Sequence, residues 1–236
     1  MGHTRHGLKA LGLCLIAALG LIALSATAAQ AAGFDIEGTA ITAEKDVTAE
    51  SDSTSYILLV PKSNLETLCK VFELDFGKIF PDGKTLAELL YKECDVLEHL
   101  SPLNKLPCWV QDNVKKILNE IHIKVEDKLI EHKGKVYDLF FPHGGGTTFV
   151  TLEFTGAECP LPLAAVPITG SVVAEECTGT KDLKVKKVSQ LIQEAAAGLF
   201  PSDGLFFGKN PATLIGSVIL KLGGAEAGKE WNGLAP

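Results

Sequence analysis

The sequence predicts a mainly β protein: an antiparallel two-sheet sandwich or partly closed barrel carrying one or two short helices. Three observations predict it. Apolar and polar residues alternate in short runs. Clusters of Pro, Gly, Asn and Asp separate those runs at close intervals. Helical periodicity surfaces in only two places.

The N-terminus reads as an address rather than as structure. Arg5 and Lys9 give it a positive start, Ala10 to Leu24 form an apolar run, and Ala29-Gln30-Ala31 fits the A-x-A cleavage rule. Residues 1–31 are therefore expected to be a secretory signal peptide cleaved after Ala31, placing the protein outside the cell or in its envelope. The run is shorter than the ~20 apolar residues that span a bilayer. Cys14 lies inside it, after Leu13, and is discarded with it. No later stretch reaches membrane-spanning length. The expected organisation is a signal peptide at 1–31, an acidic N-terminal segment at 32–54 and a single β-rich domain at 55–236.

Charge narrows the partners. The chain has 22 basic and 29 acidic residues, a net −7, with sequence pI ≈ 5.4. Arg5 is the only arginine. Removing Arg5 and Lys9 with the leader leaves 20 lysines against 29 acidic residues, a net −9. Such a chain is not a nucleic-acid binder. Without Arg it lacks the side chain that clamps phosphate through two parallel hydrogen bonds.

The elements follow in order. Residues 32–54 carry Asp35, Glu37, Glu44, Asp46, Glu50 and Asp52 without the spacing of an EF-hand loop, and read as solvated acidic surface. Tyr56 to Val60 is a strand ended by Pro61. Leu68 to Phe76 alternates, with Phe72, Leu74 and Phe76 on one face. Pro81-Asp82-Gly83-Lys84 is a turn. Thr85 to Tyr91 reads either as a helix with a Thr85/Glu88 capping box or as a strand returning to pair. Val114, Ile117, Leu118 and Ile121 follow helical spacing, with Asp112 as N-cap. Ile121, Ile123 and Val125 alternate, as do Val136 to Phe141, with a hairpin turn at His132-Lys133-Gly134-Lys135 between them. Phe149 to Phe154 is a further strand. A second helix is expected from Val188 to Ala197, closed by Gly198.

Three segments share one pattern: Ile36 to Ile41, Ile168 to Val173 and Leu214 to Ile219. Each sets Gly-Ser or Gly-Thr inside an apolar alternating run, as in three equivalent strands that bend at the same place. The second and third, with Pro211-Ala212-Thr213-Leu214 and the late Trp231-Asn232-Gly233, also carry a resemblance. The chain resembles a group of bacterial secreted β-rich proteins that have a signal peptide, a few cysteines and Gly-Ser-Val strands. That resemblance implies fold and export. It brings no catalytic residue.

Five cysteines follow the leader: Cys69, Cys94, Cys108, Cys159 and Cys177. In an exported chain they read as disulfide partners. Sequence order favours Cys159–Cys177 and Cys94–Cys108, leaving Cys69 as a free thiol able to support a covalent dimer. The competing choice is Cys69–Cys94, across the turn at Pro81-Asp82-Gly83.

Signals for chemistry are sparse. His143-Gly144-Gly145-Gly146 matches the oxyanion loop of some esterases, but no G-x-S-x-G nucleophile accompanies it. It reads better as a Gly-rich hairpin loop. His99, His122, His132 and His143 lack metal-site spacing. No catalytic residue, metal or cofactor is expected. The expected role is a non-enzymatic secreted or envelope domain acting by binding or structure. The alternative is a secreted hydrolase with sequence-dispersed active-site residues, which two close carboxylates or a His–Ser pocket would reveal.

Overall fold

Alternation decides where each strand sends its side chains, and turn residues decide which strands meet. The computed structural model describes residues 32–52, 55–132, 135–161, 165–176, 182–187 and 204–234. A short hairpin, β1 (Gly33–Ile36) and β2 (Thr39–Ala40), opens the fold. Next come β3 (Lys45–Ser51), β4 (Tyr56–Val60) and the long pair β5 (Leu65–Ile79) and β6 (Lys84–Glu98). They are followed by β7 (Ser101–Lys105), β8 (Trp109–Asp112), β9 (Ile121–His132), β10 (Lys135–Pro142) and β11 (Thr148–Thr155). The remainder is β12 (Val166–Gly170), β13 (Val172–Glu176), β14 (Asp182–Lys187), β15 (Leu205–Phe207), β16 (Asn210–Leu222) and β17 (Trp231–Leu234).

The strands form a partly closed antiparallel barrel. At one end, β16, β14, β13, β10, β9, β6, β5 and β3 pair in turn and return to β16, so that end is a ring. At the other end β16 continues through β15, β12, β11 and β8, while β4 bridges β16 and β5. No strand pairing joins β8 to β7 among the described residues, so this end curls without closing. The long strands β5, β6 and β16 run through both ends. Between them the chain crosses from one end to the other at residues 113–120, 143–147 and Ser171. The mainly β fold and its barrel form are as the sequence predicts.

The ring end is stoppered. β17, β1 and β2 form a separate three-stranded sheet. Its Phe34 and Trp231 are buried to 2% and 1% and pack with Val47, Phe72, Ile79 and Val218 inside the ring. Residues 33–36, 39–40 and 45–51 thus build the barrel and its stopper, and Ala31–Pro236 form one compact unit. Midway along the barrel, Tyr56, Phe72 and Tyr91 cluster with ring centroids 5.2–5.7 Å apart.

Four expectations need correction. First, Val114 to Leu118 form a turn instead of a helix, whereas Thr85 to Tyr91 take the strand alternative, within β6. Positive φ at Lys116 and Asn119 interrupts any helix there. Among the described residues the only helical elements are single 3-10 turns at Pro61–Ser63, His143–Gly145 and Gly224–Glu226. The helix expected from Val188 to Ala197 lies outside the described residues.

Second, Phe76 does not share a face with Phe72 and Leu74. The register shifts between Leu74 and Phe76, and Phe76 is 41% exposed. A bulge of this kind inserts an unpaired residue and turns the next side chain outward.

Third, the Gly-Ser segments are not equivalent strands. Gly38 makes the β1–β2 turn, Gly170 ends β12 where the chain crosses to β13, and Gly216 lies within β16. At Gly170 (φ +101) a Cβ would sit 1.8 Å from the Gly204 carbonyl oxygen, which accepts the Ser171 N–H at 3.1 Å.

Fourth, the disulfides are Cys69–Cys94 and Cys108–Cys159. Cys69 is not free, and neither Cys94–Cys108 nor Cys159–Cys177 forms. Cys69 and Cys94 are direct cross-strand partners once the Pro81-Asp82-Gly83 turn has set the β5–β6 register. Cys108 precedes β8, which pairs with β11, so it meets the turn at Cys159 that follows β11. The expected Cys159–Cys177 link assumed one strand through Ile168 to Val173. The break at Gly170 sends β13 to β10 instead. Cys177 itself lies outside the described residues.

Candidate functional site

Two places on this scaffold carry more than packing. One is the outer surface around the β8–β9 crossing. β8 alternates, so Val110 and Asp112 are buried while Trp109 faces out, 49% exposed. In the following turn Val114, Ile117 and Leu118 are 77%, 45% and 51% exposed. Lys115 and Lys116 are exposed beside them, and residues 113–119 contain no acidic side chain.

This apolar turn is held firmly from beneath. Asp112 is fully buried. Its Oδ1 accepts the N–H groups of Val114 at 2.8 Å and Lys115 at 2.6 Å, and its Oδ2 accepts that of His122 at 3.1 Å. Asn119 N–H returns to Val110 O at 2.7 Å. The residue read as a helix N-cap thus caps a turn, using the same chemistry: a short carboxylate satisfying N–H groups two and three residues on. Beside Trp109, Lys105, Leu106, Pro107, Ala157 and Glu158 border an open groove of about 520 Å³ next to the Cys108–Cys159 disulfide.

The second place is inside the ring. Asp127 on β9 and Asp138 on β10 are buried to 2% and 3%. Asp127 lies opposite Phe140 and Asp138 opposite Leu129, so the two are diagonal neighbours on one inward face. Thr85, the cross-strand partner of Asp127 on β6, hydrogen-bonds to its carboxyl. Burial, reinforced by the Asp138 charge, holds the Asp127 carboxyl well above the usual aspartate range. Both aspartates and Trp231 line a cavity of about 40 Å³. A second, apolar cavity of about 70 Å³ lies further along the barrel, and Leu89 and Phe140 border both.

The residues singled out from the sequence fall elsewhere. His143 and Gly144 sit on Glu126, with His143 Nδ1 at 2.8 Å and Gly144 N–H at 2.9 Å from its Oε1. Their loop is a crossing and no hairpin, because β10 and β11 do not pair. His99 and His122 lie near Glu66 and Glu120 at 3.9 and 3.4 Å. Among the described residues no cluster of three metal-binding side chains occurs. The Asp127–Asp138 pair, missed in the sequence, is the pair of close carboxylates a dispersed hydrolase would need. Both carboxyls are buried beside Trp231 of the stopper sheet. The signal that could have found it is Asp127 and Asp138 standing at inward positions of otherwise apolar alternating runs.

Fold and site together define a disulfide-linked antiparallel β-barrel with an ordered apolar surface turn. No protein-family model, curated protein or solved structure matches the chain. No helix among the described residues is long and apolar enough to cross a membrane.

Proposed function

We propose that the chain is exported, loses residues 1–31, and acts as a non-enzymatic binding domain that docks on an anionic membrane surface through Trp109 and residues 113–119. Export is supported by the leader pattern, by the two disulfides and by the resemblance to secreted β-rich proteins. The observation that carries the docking reading is the buried Asp112 carboxylate holding three aliphatic side chains outward. A protein that fixes an apolar turn in water forgoes the burial it would gain by folding that turn inward.

The chemistry fits a lipid interface. Aliphatic tips enter the acyl boundary, an indole sits at headgroup depth, and flanking lysines meet anionic headgroups. The chain is acidic overall and Glu120 and Glu158 flank the site, so Lys115 and Lys116 act at close range, within the ~8 Å that physiological salt leaves unscreened. Each lysine near such a surface contributes ~1 kcal/mol. Partial burial of three aliphatics adds roughly 3 kcal/mol. The sum of about 5 kcal/mol corresponds to weak, reversible attachment.

Cosedimentation with vesicles tests this. The secreted protein should bind vesicles containing phosphatidylglycerol, less in high salt, and less to pure phosphatidylcholine. Val114→Asp with Leu118→Asp should abolish binding. Equal recovery in the supernatant with and without vesicles would sink the reading.

A further inference from the structure

We propose that Asp127, Asp138 and Trp231 form an internal site that holds one proton and one small neutral hydrogen-bonding guest, water in the native protein, and ties the stopper sheet to the barrel wall. The inference is independent of membrane docking. Its basis is a set of buried polar atoms around one space. Trp231 is 1% exposed, and its indole N–H has no partner among the described residues. Asp127 Oδ1 is likewise without a partner. Both residues, with Asp138, line the 40 Å³ cavity. A water needs only ~10–15 Å³ of such space, together with polar partners.

The donor set selects the guest. An indole N–H offers only a proton, so the guest must accept one. It therefore repels a bare cation. The carboxyls repel an anion. A molecule that accepts from the indole and donates to Asp127 satisfies both orphans, and water is the smallest that does.

The carboxyls select the proton count. Two aspartates this close in an apolar barrel cannot both ionise cheaply, so one stays CO2H while the other is CO2⁻. The polar residues that share the cavity with Asp127 are Thr85 on β6, Asp138 on β10 and Trp231 on β17, and the other described residues lining it are apolar. Among the described residues that line the cavity there is no lysine or histidine. Asp127 titrates above its ordinary value in the folded chain, so the fold binds a proton that the unfolded chain releases. Its contribution to stability is complete below the ordinary aspartate pKa and is lost as pH rises through the folded value. Loss of the proton puts two negative charges beneath Phe34 and Trp231 and loosens the stopper.

Nuclear magnetic resonance on the intact protein tests this. The Trp231 indole N–H signal, assigned by its loss in Trp231→Phe, should cross-relax with water and shift with pH. One carboxyl carbon of the pair should titrate well above 3.8, the ordinary value for Asp127. Asp127→Asn should remove the indole titration and flatten the fall of the thermal midpoint at rising pH. Both carboxyl carbons ionising together near 3.8, an indole signal with no contact to water, or an unchanged titration in Asp127→Asn would overturn the proposal. Should Asp127→Asn fail to fold, the carboxyl titration of the unaltered protein decides it, with Asp138→Asn as the second variant.

Discussion

Gly216 lies flat against the ring of Tyr56: a Cβ at Gly216 would stand 2.5 Å from Tyr56 Cδ1. Tyr56 is 1% exposed, and its hydroxyl donates to the carbonyl oxygen of the next residue, Ser217, at 2.6 Å. The same ring packs on Phe72 and Tyr91. β16 can therefore pass over the aromatic cluster only where it has no side chain. Gly216→Ala should push the tyrosine off its rotamer and cost about 1–3 kcal/mol, the usual penalty of overpacking. Denaturant unfolding measures it. A loss below a few tenths of a kcal/mol would show that the ring moves aside freely.

The two disulfides close loops of different length, with separations of 25 and 51 residues. In the chain-entropy model they stabilise by about 3.5 and about 4 kcal/mol. Non-reducing peptide mapping should recover Cys69 joined to Cys94 and Cys108 joined to Cys159. Thiol titration of the denatured, unreduced chain without residues 1–31 should find one sulfhydryl, that of Cys177, or none in a covalent dimer. Recovery of a Cys94–Cys108 peptide would refute the pairing.

Asp112 supports both the turn and the strand that follows it. Asp112→Ala would leave three backbone N–H groups without their carboxylate acceptor. Hydrogen bonds to charged groups are worth ~1.5–3 kcal/mol each, and solvent takes over part of the loss at the exposed turn. The expected destabilisation is about 3 kcal/mol. Hydrogen exchange should accelerate at Val114, Lys115 and His122 while β5 and β6 stay protected. Vesicle binding should weaken, because a disordered turn must be fixed again on docking. Unchanged exchange at those amides would remove Asp112 from this role.

How much of this was legible depends on how local the cause is. β4 was readable to the residue, because an apolar run and Pro61 mark its ends. The β5–β6 hairpin was readable from Pro81-Asp82-Gly83-Lys84. Disulfide pairing was not, because it depends on which end of the barrel each strand joins. Gly170 decides that for β12 and β13 through a close approach to Gly204, distant in sequence. The turn at 113–119 carries helical spacing, yet the register of β8 against β11 and the return of Asn119 to Val110 override it. The carboxyl pair was legible only in part: Asp127 continues the apolar face of Ile121, Ile123 and Val125, but β10 carries apolar residues on both faces, so alternation alone does not bring Asp138 to its side.

Glu226 predicts a pH dependence opposite in sign to that of Asp127. Its carboxylate meets Lys229 at 2.6 Å and Lys45 at 2.7 Å, joining the turn after β16 to the start of β3. Hydrogen bonds from Lys229 first, and from Lys45, pull its pKa down from 4.5 to about 2. The unfolded chain therefore binds a proton at Glu226 between those values while the folded chain does not. The stability it contributes is complete above pH 4.5 and is lost as pH falls toward 2. The pair is near the surface, so salt should shrink the effect. Thermal midpoints of Glu226→Gln should fall less steeply than those of the unaltered protein on the acid side, and the difference should narrow in high salt. Asp127→Asn should leave the part of that limb below pH 3.8 unchanged and act only as pH rises above it. Parallel acid limbs for Glu226→Gln and the unaltered protein would show that the lysine contacts do not hold in solution.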